Sequence, residues 1–111
     1  IFLFFVLTLF LILINSINVM DKRLKEKMEQ KISETFENTD EIKHIVKSLN
    51  ILSENTSSFV FGVVIGRLYN SFYYQSRRIL KRDPTKEEFL EFLDMLKQRQ
   101  QEFLKKLDFK L

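Results

Sequence analysis

Pro84 is the only proline in this chain, and Gly62 and Gly66 are its only glycines. Tight β-hairpins depend on positive-φ positions that glycine supplies most cheaply. Two glycines four residues apart, inside one apolar run, give an all-β fold almost nothing to turn with. Leu, Lys, Glu, Gln, Arg and Met, all good helix formers, are abundant instead. The expected fold class is all-α.

The position of the proline organises the second half. In Asp83-Pro84-Thr85, proline disfavours helix in the residue before it and suits the first turn of the next one. Thr85 with Glu88 three residues later forms a capping-box pair. One helix is expected from about 58 to 82 and another from about 84 to 107. The first carries Phe61, Ile65, Leu68, Phe72, Gln75 and Ile79 at alternating spacings of four and three; the second carries Phe89, Leu93, Leu96, Gln100, Phe103 and Leu107 in the same alternation. That spacing is a coiled-coil seam, and a very short connection makes antiparallel neighbours. Folding at Pro84 pairs Ile79 with Phe89, Gln75 with Leu93 and Phe72 with Leu96. Beyond them come Leu68 with Gln100, Ile65 with Phe103 and Phe61 with Leu107. The expectation is an antiparallel helical hairpin.

The other end of the chain has a different character. Ile1, Phe2, Leu3, Phe4, Phe5, Val6, Leu7, Leu9, Phe10, Leu11, Ile12, Leu13 and Ile14 are interrupted only by Thr8, and no charge appears before Asp21. As a helix, residues 1–20 span roughly 30 Å, about the thickness of a hydrocarbon core. A charge is costly in lipid, so Asp21 marks where such a span ends. The expected organisation is a membrane-anchor helix over 1–20, charged amphipathic helices and loops over 21–56, and the hairpin over 57–111. Lys22, Arg23, Lys25 and Lys27 weakly favour a cytoplasmic location for the part of the chain beyond the anchor. A signal peptide is the weaker reading, since no Ala-x-Ala-like site succeeds the apolar run. Ile1–Ile14 is also similar in character to the apolar N-terminal helix of type IV pilins, which packs in a filament core. The likeness covers that segment alone, with Phe5 where such pilins often carry an acid and no β-rich head in the remainder.

Between these parts, Leu24, Met28, Ile32 and Phe36 recur every four residues and give a narrow apolar stripe on a charged helix. Asn38, Thr39 and Asp40 offer N-caps for a short helix with Ile42, Ile45, Val46, Leu49 and Leu52 on one face. A polar run, 53–58, reads as a loop and contains the glycosylation sequon Asn55-Thr56-Ser57.

The net charge of +3 is unevenly spread: residues 57–82 hold five basic side chains (Arg67, Arg77, Arg78, Lys81 and Arg82) and no acidic one. Tyr69, Phe72, Tyr73 and Tyr74 interleave with them, a combination that binds anionic headgroups, acidic partners or nucleic acid. Gly62 and Gly66 form a small-xxx-small pattern, expected to mark close packing against a neighbouring helix. Gly62, Gly66, Arg67, Tyr69, Tyr73, Arg77 and Arg78 are therefore the candidate partner-binding residues. The chain has no cysteine and a single histidine, His44. Ser–His, Cys–His and zinc arrangements have nothing to build on, and no glycine-rich loop cradles a phosphate. Glu87, Glu91 and Asp94 share a helix face without the histidines of a di-iron bundle. The expectation is a protein that is not an enzyme, with no cofactor, metal or small-molecule substrate. Its partners are membrane lipid and other helical proteins or copies of itself. The alternatives are a self-assembling filament or envelope subunit and a membrane-tethered basic module for nucleic acid.

Overall fold

The computed structural model describes residues 1–7 and 19–109. Among the described residues the chain is all-helical, with no strand. Residues 2–7 are helical. The body of the molecule contains α1 (Lys22–Glu37), α2 (Asp40–Ser48), a 3₁₀ turn (Asn50–Leu52), α3 (Thr56–Leu80), α4 (Lys86–Gln98) and α5 (Gln100–Lys106).

Each boundary has a local cause. The Asp21 carboxylate accepts the Arg23 N–H at 2.8 Å and starts α1. The Asn55 side chain accepts the Ser58 N–H at 2.9 Å, so α3 begins at Thr56, two residues earlier than its sequence suggests. The helix ends at Leu80 because Lys81 adopts a left-handed conformation with φ 61°. Glycine usually fills that role at less cost. The Thr85–Glu88 capping box forms as the sequence indicates, with the Thr85 N–H on Glu88 Oε1 at 2.8 Å and the Glu88 N–H on Thr85 Oγ1 at 3.2 Å.

The expected helix over 84–107 is corrected by a break at Arg99. There φ is −105° and ψ 14°, and the chain restarts as α5. The Arg99 guanidinium explains the placement: it meets Glu29 of α1 at 3.3 Å and Glu102 at 3.1 Å, and lies 5.3 Å from the Phe36 ring centroid. These contacts tie the α4–α5 junction to α1 rather than to the axis of a straight helix.

The core is a single cluster. Leu24, Met28 and Ile32 of α1 are buried, as their spacing predicts, together with Ile42 and Val46 of α2. The rest of the expected α2 face is corrected: Leu49 and Leu52 are exposed at 45% and 72%, because the chain turns into the 3₁₀ segment before they reach the core. On α3 the buried line is Val60, Val64, Leu68, Phe72 and Ser76, spaced by four, with the seam position Gln75 buried beside it. Side chains four apart form ridges inclined to the helix axis, and two such ridges interdigitate when their helices cross. α1 presents the same spacing, and its backbone lies close against α3. Leu68 and Ser71 of α3 share a pocket with Lys31 and Thr35 of α1, while Arg78 and Ile79 share one with Arg23 and Lys27, so the two helices run antiparallel.

Large rings fill the space between α3 and α4. Phe72 stacks on Phe92 with centroids 4.5 Å apart and an interplanar angle of 3°, and Tyr69 meets Phe89 edge-on at 6.0 Å. These ring contacts add to the pairs expected from the seam a register they did not include: Phe72 faces Phe92, and Tyr69 reaches Phe89. The cause is α1, which occupies part of the α3 surface that a two-helix seam assigns entirely to α4.

Candidate interaction site

The positions chosen as a seam have a different fate. Phe61, Ile65, Leu93, Leu96, Gln100 and Phe103 line a groove of about 390 Å³ between α3 and α4–α5, completed by Lys97 and Leu104. Its walls are apolar, and Ile65, Leu93 and Leu104 remain 37%, 36% and 50% exposed. The seam closes at Phe72 and Phe92; beyond them Leu96 and Phe103 stay buried at its floor while Ile65, Leu93 and Leu104 leave its rim open. An open apolar seam between helices is the geometry that accepts one face of another helix.

The candidate residues of α3 are distributed over its outer surface. Gly62 and Gly66 are exposed, and a Cβ at either would meet no atom within 4 Å. Close packing of another helix of the body at these glycines is overturned: α3 is covered along Val60, Val64 and Leu68, on another face. Arg67 pairs with Glu41 at 3.7 Å. Tyr69 and Tyr73 pack with centroids 5.1 Å apart, and hydrogen bonding to Tyr69 holds the Tyr73 hydroxyl above its ordinary pKa. Arg77 lies 5.6 Å from the Tyr73 ring centroid and forms an ion pair with Asp83, which raises its pKa. Arg78 donates to the Gln75 side chain at 2.9 Å. The structure therefore brings Tyr69, Tyr73 and Arg77 into one contiguous group, and Gly62 and Gly66 continue the same helix face toward the start of α3 with nothing among the described residues packed on them.

Ion pairing alters the electrostatic reading of 57–82. Arg82 forms a two-point contact with Glu88, at 2.7 and 3.2 Å, so three of the five cations there face carboxylates supplied from outside the stretch. A stacking surface for nucleic acid needs its cations turned outward and free. Arg78 and Lys81 alone have no carboxylate partner among the described residues.

Sequence reasoning missed Arg99 and Glu29, which meet across 70 positions. Neither residue carries a local signal; the charge of Arg99 inside an apolar stripe was the available clue. It also missed Phe36 with Phe103, which meet edge-on at 5.1 Å.

The expected anchor is described only in part. Residues Ile1 to Leu7 are exposed at 42–111%. Leu9, Phe10, Leu11, Ile12, Leu13 and Ile14 lie outside the described residues. No helix among the described residues is long and apolar enough to cross a membrane. Among those residues, likewise, no group of three or more His, Asp or Glu side chains converges as metal ligands do. No protein-family model, curated protein or solved structure matches the chain.

Proposed function

We propose that this protein is a membrane-anchored helical interaction protein, an accessory or scaffold subunit of a membrane-associated complex. The apolar leading segment fixes its location, and the hairpin of α3 with α4–α5 offers its open seam to a partner helix. Apolar surface left in water carries this reading. Seven consecutive apolar residues, Ile1–Leu7, stand 42–111% exposed. Moving their side chains out of water is worth roughly 10–20 kcal/mol at about 1.5–3 kcal/mol each. That sum exceeds the net stability of many small domains, about 5–15 kcal/mol. A surface of that size therefore decides where a molecule resides.

Flotation of the full-length chain with neutral phosphatidylcholine vesicles tests the anchor. The expected result is a chain that floats with the vesicles and stays with them through a carbonate wash. A freely dissolved monomer in detergent-free buffer overturns the proposal, and so does a polymer that sediments intact from mild detergent.

A further inference from the structure

The charge of this chain is concentrated at the end of the body where the apolar leader joins it. Residues 21–27 and 77–91 hold nine cations and six carboxylates, a net +3 equal to that of the whole chain; elsewhere nine cations and nine carboxylates cancel. The fold brings these stretches together. Arg23 and Lys27 at the start of α1 and Arg78 and Lys81 at the end of α3 line one open groove of about 540 Å³, in which Glu26 is the sole carboxylate. Glu26 itself faces Lys22 at 3.9 Å, and Arg23 is shared with Asp21 at 3.1 Å. Arg82 beyond the groove senses both Glu88 and Asp21, so the α3–α4 connection belongs to the same end. At that end too, the Met20 backbone N–H donates to Glu91 of α4 at 2.6 Å, which fixes the point where the leader meets the body.

We infer that this cationic end, with Arg78 and Lys81 at its centre, docks on the anionic headgroups of the leaflet into which the leader inserts. The inference rests on the proposed anchor and adds the lipid class and the docked face. Two features select a lipid surface as the occupant. The groove begins within a few residues of an uncharged leader, so an inserted leader delivers it to headgroup depth. Its cations also come from two helix ends more than 50 positions apart and include the pair that lacks carboxylate partners among the described residues. Each cation near an anionic surface favours docking by about fivefold at physiological salt, and the attraction decays within a Debye length.

The test uses the full-length chain in nanodiscs of phosphatidylcholine alone and with phosphatidylserine, following amide exchange over 77–83 by mass spectrometry. Exchange there is expected to be about fivefold or more slower in the anionic discs. The difference should vanish near ~0.5 M salt and in Arg78→Gln/Lys81→Gln. It should persist in Lys105→Gln/Lys106→Gln, which removes the same charge from α5. The salt reversal in the unaltered chain reads the docking even if the double variant folds poorly. Equal exchange in both lipids, in a chain that floats with neutral vesicles, overturns the docked face and leaves the anchor standing. A chain that floats only with anionic vesicles keeps the face and removes the anchor. One that floats with neither removes both. Slowed exchange produced by an oligonucleotide and by neither disc assigns the face to nucleic acid and overturns the lipid reading.

Discussion

Glu88 is the most consequential single side chain outside the apolar core. It is 3% exposed, it accepts the Thr85 N–H, and it receives both terminal nitrogens of Arg82. The Arg82 guanidinium holds its carboxyl below the ordinary value of 4.5. A carboxylate depressed by folding stabilises the native state above its unfolded pKa, and that contribution is lost as pH falls through the folded value. Asp21 and Glu102, lowered by Arg23 and Arg99, act with the same sign from exposed positions. The thermal midpoint should therefore fall as pH drops below about 4.5, and the fall should be shallower in Glu88→Gln, measured by circular dichroism across pH. At neutral pH, Glu88→Ala should cost about 1.5–3 kcal/mol in a denaturant titration, because it strips a charge-assisted pair and one half of the helix cap. Phe92 supplies a comparison from the core. Removing its ring from the stack on Phe72 should cost about 3–5 kcal/mol in Phe92→Ala, with Phe92→Leu retaining a measurable fraction.

Among the elements, α3 shows what a sequence pattern can and cannot carry. Its capping partner Asn55, its end near Pro84 and the α1 stripe it meets are written locally, in polar residues at fixed offsets and in apolar residues four apart. The register between α3 and α4 is not. The same helix satisfies two templates, one through Phe61, Ile65, Leu68 and Phe72 and one through Val60, Val64, Leu68 and Phe72. A third helix decides between them, since α1 needs the second. The break at Arg99 is likewise set from outside, by Glu29 and Phe36. Of the candidate site, the aromatic and basic character was legible, but its neutralisation by Glu41, Asp83 and Glu88 was not, because those carboxylates lie outside the stretch. The glycines give a direct test. In a helix interior with open space around each Cβ, Gly62→Ala and Gly66→Ala should each stabilise the isolated protein by about 0.5–1 kcal/mol. If a partner helix seats on that face, the same substitutions should weaken its capture while raising the thermal midpoint.

For the whole molecule, the seam divides the apolar surface into a closed part that holds the body together and an exposed rim that the proposed partner helix would cover. Leu93 and Leu104 lie on the exposed rim without belonging to the core. Leu93→Glu and Leu104→Glu should therefore shift the midpoint of thermal unfolding little. The same changes should abolish association with the partner recovered from the unaltered chain in mild detergent, quantified by mass spectrometry. The bond between the Met20 N–H and Glu91 bears on load. A load applied at Met20 reaches the middle of α4 as well as the first turn of α1. Met20 is thereby fastened to two helices of the bundle at once, and the start of α1 does not separate from the body without breaking its link to α4.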